Sequence, residues 1–320
     1  MNIHENHIAI ATKNGLLLGE RDDLSSLNRI LEPHHITCVA GKDRMIYAGS
    51  HDGLFCSDDR GKNWTECTPE PGYEHIRSIK IIDNQQERIL LGTEPAMVFY
   101  STDHGKQWHP SHEVARLRDR YEWSLPYSPR KGCIRDFSQL GDIIFSAAEQ
   151  GGVLRSADHG FTWQMVGGYT DPRGAQEGTI HNDVHRVYTL KNLINLVWSC
   201  TGGGFFYSEN QGNSWNRLYD AYCRAVWIDI ENPDHMILGS AQGPDRMGEI
   251  VETKDGNTWQ SVNDGSGAPW EKSMVEKFVR GNENIYMILS DGRVFSSDKK
   301  NIKWQQIWPE IDNVVDIHFF

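Results

Sequence analysis

The stretch Ser57-Asp-Asp-Arg-Gly-Lys-Asn-Trp64 decides the fold, because it recurs along the chain. Near-copies run from Ser101 to Trp108, from Ser156 to Trp163 and from Ser208 to Trp215. Two worn copies follow. Thr253 to Trp259 lacks one residue between Asp255 and Gly256, and in Ser297 to Trp304 the residues Lys299 and Asn301 replace the Asp and the Gly. The spacing leaves room for one small antiparallel sheet per copy, so the chain reads as a repeat architecture in which each unit needs its neighbours to bury its faces. In the pattern Ser-x-Asp-x-Gly-x-x-Trp, the carboxylate of Asp59, Asp103 or Asp158 is expected to accept hydrogen bonds from the amides of its own turn. Gly61, Gly105, Gly160 and Gly212 supply a positive φ that costs other residues about 1 kcal/mol or more. Each Trp supplies a large apolar anchor. These residues staple a fold and do not mark a reaction.

Short β-rich runs surround each copy in a constant order, two before it, one leading into it and one after it. The first complete unit reads 35–40, 45–49, 53–57 and 64–68. First and second strands recur at 76–82 with 89–92, 133–138 with 143–147, 184–190 with 196–200, 223–230 with 236–239, and 275–279 with 285–289. That makes six units. The segment 8–19 aligns with 46–57 and supplies second and third strands, 27–31 supplies a fourth, and 314–320 has the alternation of the missing first strand. The expectation is an all-β chain forming one domain over 1–320, a seven-bladed β-propeller of four-stranded antiparallel blades. N- and C-terminal strands would share one blade, which leaves no exposed sheet edge.

Composition narrows the classes of partner. A formal net charge of −12 over 320 residues argues against nucleic acid or an anionic membrane surface. The N-terminus has no basic region followed by an apolar run, and no stretch approaches the roughly 18 apolar residues of a membrane span. The reading is of a soluble, cytoplasmic protein. Cys38, Cys56, Cys67, Cys133, Cys200 and Cys223 show neither Cys-x-x-Cys pairs nor the density of a disulfide scaffold, so reduced thiols are expected.

The repeated turns join third to fourth strands on one face. The long insertions, 110–132, 167–182, 240–248 and 264–273, fall in connections of the other face, and 113–123 within the first reads as helical. Long loops gathered at one mouth point to a functional site there. First strands line the channel of a propeller. Aligning them on Ile36, Ile76, Ile134, Val184, Cys223, Val275 and Val315 makes Thr37, Arg77, Arg135, His185, Arg224, Glu276 and Asp316 equivalent. Two residues earlier come His35, His75, Cys133, Asp183, Tyr222, Met274 and Val314.

A ring of three arginines, a histidine and two carboxylates has two readings. One is an ion-pair network that holds the blades together. The other is an anion site in which planar guanidinium forks bind a carboxylate or phosphate in two-point fashion. Arg77, Arg135, Arg224, His75, Tyr222 and Asp316 are the candidate substrate-binding residues, and His185, Glu276 and Asp183 the candidate catalytic ones. His185 is the best proton-transfer group by its ordinary pKa, with Glu276, Glu149, Glu177 and Asp183 competing as the second acid or base. His181, Asp183 and His185, joined by His75 or His35, offer imidazole and oxygen ligands to a metal, or are histidines satisfied by neighbours. Sequence fixes neither a metal nor a cofactor. The turn Thr201-Gly-Gly-Gly204 lies between strands and reads as a hairpin, without a phosphate-binding role.

The repeat resembles the Asp-box, or BNR, repeat of sialidases and many other β-propellers, and the resemblance covers nearly the whole chain. The blade pattern is similar to that of intracellular sialidase-like and YVTN-like propellers. Sialidases use an arginine triad for the substrate carboxylate, a tyrosine nucleophile helped by a glutamate, and an aspartate acid/base, which makes Arg77, Arg135 and Arg224 triad candidates by residue type. The chain departs from sialidases in lacking the N-terminal Arg-Ile-Pro signature, in counting seven blades instead of six, and in showing no Tyr with a partnering Glu. Photosystem II assembly factors are also similar: seven-bladed, protein-binding through an arginine patch, and carrying export signals that Met1 to His7 does not show. Together the residues and the resemblance imply small-molecule binding at the channel mouth, with hydrolase or lyase chemistry on an anionic or sugar-like substrate. The alternative is a protein-interaction scaffold or assembly factor without catalysis.

Overall fold

In the computed structural model, which describes residues 6–82, 88–129, 131–168 and 177–320, each repeat forms one sheet of four antiparallel strands. The first strands of blades two to seven are Ile36–Lys42, His75–Ile81, Cys133–Leu140, Val184–Tyr188, Tyr222–Ile228 and Val275–Arg280. Blade one draws its first strand, Val314–Phe319, from the C-terminus and continues with His7–Thr12, Gly15–Glu20 and Asp23–Ile30. Ile10 faces Ile317 in that pairing, so both ends of the chain close the ring. The described residues thus build a seven-bladed β-propeller, with the two-ended closure that the alternation of 314–320 predicts.

Burial on both faces explains why the second strands are nearly all apolar or small. In His7–Thr12, Ile8 and Ile10 pack with Tyr286 and Ile288 of blade seven, while Ala9 and Ala11 turn to Ile36 and Ile46 of blade two. Close approach of neighbouring blades also demands glycine. A Cβ on Gly92 would lie 2.5 Å from Ile134 Cγ2, and one on Gly239 would lie 2.3 Å from Val275 Cβ, both in the next blade.

The repeated turn bonds as its residue types require. Asp59 Oδ1 accepts from the amides of Lys62 and Asn63, each at 2.9 Å, and the Gly61 amide donates to Ser57 Oγ at 2.8 Å. Gly61 has φ 82°, and the Trp64 indole donates to the Gly61 carbonyl. In the Ser208 copy Asn210 does the same through its side-chain carbonyl, which accepts from the Ser214 amide at 2.9 Å. The last copy corrects the sequence reading. Asp298, not the position of Lys299, accepts from the amides of Lys300 and Asn301, so the aspartate has moved by one residue and has not been lost.

A second correction concerns the thiols. Cys56 and Cys67 are joined as a disulfide with their Cα atoms 6.3 Å apart. Cys56 sits on the third strand of blade two and Cys67 directly after the fourth, Thr65–Glu66; Cys56 pairs with Thr65 and the Cys67 amide donates to the Leu54 carbonyl, so the hairpin brings them together. Cys38, Cys133, Cys200 and Cys223 are free and buried.

The insertion after blade three forms the helix His112–Arg120, with Glu113 in its first turn and Arg118 and Arg120 in its last, matching the helix dipole. Trp123, just beyond, is buried with Val114, Ile134 and Ala148 at the junction of blades three and four. Of the expected loop over 167–182, residues 169–176 lie outside the described ones, and Glu177 is exposed.

Candidate functional site

The first strands carry one β-bulge each, all at the same level. The register skips Thr37, Arg77, Arg135, His185, Arg224 and Glu276 in blades two to seven, and Val315 in blade one. A bulged residue is left unpaired and its side chain is re-aimed, and here all seven border one central cavity of about 350 Å³. The bulge also corrects the expected ring. Val314 pairs with Thr12 where Ile36 pairs with Ser50, so Val315 is the ring member and Asp316 lies one residue further along. Asp316 instead forms an ion pair with Lys277 and accepts from the Val39 amide at 3.2 Å, joining blades seven, one and two.

Glu276 is the hub of the ring. Its Oε1 accepts from Arg135 Nη2 at 2.6 Å and its Oε2 from Arg224 Nη1 at 2.8 Å. Arg135 belongs to blade four and Glu276 to blade seven, so the first contact spans the channel. Burial opposes ionisation of Glu276, but the Arg224 and Arg135 guanidiniums outweigh it and hold the carboxyl far below the usual range. Arg135 also donates to Glu149 at 3.0 Å, and Arg224 is 3.6 Å from Asp245. Two of the three ring arginines are therefore a carboxylate clamp filled by the chain's own carboxylate.

Arg77 is placed differently. Among the described residues its nearest carboxylate is Glu94, at 3.6 Å, and Glu94 also stands 3.6 Å from His75 and accepts from Ser128 Oγ at 2.8 Å. His75 therefore backs the ring without lining the cavity, and Ser128 brings the insertion after blade three to this point.

On the wall of blades four to six, His185 Nδ1 contacts the Cys223 carbonyl at 2.8 Å, and its Nε2 faces Asp183 Oδ1 at 3.2 Å and the Tyr222 hydroxyl at 3.3 Å. Burial works against the Asp183 carboxylate, yet His185 holds it down to about 2. Burial pushes the Tyr222 phenol up to about 12, against the opposing pull of Arg224, whose Nε donates to it at 3.0 Å. His181 is turned away from this group, because its Nδ1 accepts the Asp183 amide at 3.1 Å. Among the described residues, the donors close enough to share a metal ion are Glu149, Asp183 and His185.

Lys13, His51, Glu94, Asp245 and Lys277 also belong to the site and were not singled out from sequence. Glu94 had a signal. It faces His75 in the same register position as Glu149 facing Cys133, so both second strands end in an acid beside the ring.

Comparison with known proteins agrees with the fold. No protein-family model and no curated protein matches the chain by sequence. A solved structure of YCF48 bound to D1 peptide is similar at a TM-score of 0.63 and 14% identity, covering 91% of this chain and 89% of that one. Sqt1 of Chaetomium thermophilum, bound to the N-terminus of the ribosomal protein L10, gives 0.57 and 13%, covering 99% and 88%. An ancestral GH74 enzyme gives 0.62 and 15% over 89% of this chain, which spans only 38% of that enzyme's length. At these identities the likeness is one of fold. The chain is a seven-bladed β-propeller with a charged channel, and the solved structures it resembles in fold include an enzyme and two proteins bound to a peptide or to part of a ribosomal protein.

Proposed function

We propose that the channel mouth binds a small molecule through a carboxylate or a comparable anionic group. Uneven pairing within the ring carries this reading. Arg135 and Arg224 are answered by carboxylate oxygens at 2.6–3.0 Å, whereas among the described residues the nearest one to Arg77 stands at 3.6 Å, beyond hydrogen-bonding reach. Lys13, His35 and His51, from blades one and two, border the cavity with Arg77, and His35 is a neutral donor or acceptor there, because burial and then His51, Lys13 and Arg77 push it down to about 4. Lys13 and Arg77 together attract an anion locally even in a chain of net charge −12, and a guanidinium fork takes a carboxylate in two-point fashion. The cavity, about 350 Å³, is of the size that holds a small ligand. For hydrolase or lyase chemistry on that ligand, Glu276 is committed to two arginines, which leaves the cluster around Asp183 and His185 as the place for it.

The test is thermal melting of the wild type, Arg77→Ala and Lys13→Ala with a panel of carboxylates and phosphates. A ligand at 100 times its Kd stabilises by about 2.7 kcal/mol, and that shift should vanish in Arg77→Ala. A shift that survives Arg77→Ala, or no shift from any compound, would overturn the proposal. A second reading, a protein-interaction scaffold, draws on Tyr127, which is 58% exposed beside Ser128, and on the peptide and protein partners of the similar propellers. It predicts a partner captured by the wild type and released by Tyr127→Ala; equal capture by both would count against it.

A further inference from the structure

One donor atom from each of Glu149, Asp183 and His185 lies within 4.8 Å of the others. Glu149 ends the second strand of blade four, while Asp183 and His185 flank Val184 at the start of blade five. Two adjacent blades thus set the three groups independently of any loop outside the described residues. The imidazole orientation is the informative part. A carbonyl only accepts, so the contact of His185 Nδ1 with the Cys223 carbonyl at 2.8 Å puts the proton on Nδ1 and leaves the Nε2 lone pair of the neutral ring pointing inward. It points at Asp183 Oδ1, 3.2 Å away, a buried oxygen that receives no hydrogen bond. Nε2 also has the Tyr222 hydroxyl at 3.3 Å as a hydrogen-bond partner, so a cation between Nε2 and Oδ1 would take the place of that bond and relieve the contact of two lone pairs. Cys133 and Arg135 both engage Oε2 of Glu149, which leaves Oε1 to coordinate.

An imidazole anchored through Nδ1–H to a backbone carbonyl, with Nε2 turned toward carboxylates, is how proteins orient a metal-ligating histidine. Two carboxylates and an imidazole suit a divalent ion of the Zn²⁺ or Mn²⁺ kind. We propose that Glu149, Asp183 and His185 form a divalent-cation site in the channel wall, with a further coordination position open to the cavity. His185 borders that cavity. The Tyr222 hydroxyl, 3.3 Å from Nε2 and held by Arg224, is placed to hydrogen-bond a water in the open position, without itself being a ligand. His181 is not a ligand, since its Nδ1 is occupied by the Asp183 amide.

The test uses the full chain, stripped with EDTA, dialysed, and titrated calorimetrically with Zn²⁺ and separately with Mn²⁺. Wild type should take up one equivalent of at least one ion. Glu149→Gln and Asp183→Asn should bind it at least about tenfold more weakly. Circular-dichroism melts establish that each sample is folded. Arg77→Ala, which removes the anion seat, should leave metal uptake unchanged, so the two proposals fail separately. A folded wild type that takes up neither ion at millimolar concentration would overturn the site and leave a shared proton joining His185 to Asp183. Equal binding by wild type, Glu149→Gln and Asp183→Asn would also overturn it.

Discussion

Replacing Glu276 with Ala should unclasp the ring in a way that an added carboxylate can repair. The side chain accepts from Arg135 across the channel and from Arg224 in the adjacent blade, and it is 27% exposed to the cavity. Removing one partner of a fully buried ion pair costs about 3–5 kcal/mol because a charge is left stranded, whereas an exposed pair contributes about 0–1 kcal/mol. Partial access of water places the expected loss at about 2–3 kcal/mol, between those limits. With an unfolding entropy near 2.1 cal/mol/K per residue over 320 residues, each kcal/mol shifts Tm by about 1.5 °C, so Tm should fall by roughly 3–5 °C. Formate or acetate at millimolar concentration should then fill the emptied clamp and return part of that loss. The same salts should do less for wild type, and nothing further for the double variant Glu276→Ala, Arg224→Ala. Differential scanning calorimetry at constant ionic strength separates this from general salt effects. An Ala variant that melts with wild type, or a carboxylate shift equal in all three proteins, would refute the clamp.

Other consequences concern the scaffold. The Asn63 amides hold the Asp59 carboxyl down to about 2, and a folded pKa below the unfolded one means the turn's contribution is complete above about pH 4 and is lost as pH falls through about 2. NMR titration of Asp59 checks this, and a midpoint near 4 would contradict the bonding described. Gly92→Ala would bring a Cβ to 2.3 Å from Ser78 Oγ and 2.5 Å from Ile134 of the next blade, so urea unfolding should show a loss of about 1–3 kcal/mol. An unchanged midpoint would mean the blades are less tightly apposed. The link between Cys56 and Cys67, 11 residues apart, should contribute about 3 kcal/mol when oxidised; Cys56→Ser should lose it only without reductant, and peptide mapping that finds no linked pair in oxidised protein would refute it.

How far the sequence reached depended on whether a feature was local. The turn at Ser57 to Trp64 uses contacts within eight residues, so its bonding, the period and the blade count were all readable. Closure was readable too, since 314–320 had the alternation of a strand and no blade of its own. Bulges were not. They shift register without marking the sequence, and at Val314-Val315 two equal apolar residues concealed which one points inward, which displaced Asp316 into the ring. Arg135 and Glu276 were legible as channel residues, but not as partners, because 141 positions separate them and only ring closure sets one opposite the other. The disulfide was hidden for a related reason: Cys56 and Cys67 meet only once the third and fourth strands pair.

The central claim is that seven bulges aim Thr37, Arg77, Arg135, His185, Arg224, Glu276 and Val315 into one channel and leave Arg77 as the seat for an external anion. A high-resolution crystal structure of the chain, purified without chelator and soaked in formate, tests it most directly. The account predicts Glu276 held between Arg135 and Arg224, Val315 at the ring level, and formate in two-point contact with Arg77. Arg77 forked onto Glu94 with no formate beside it, or Asp316 at the ring in place of Val315, would contradict it.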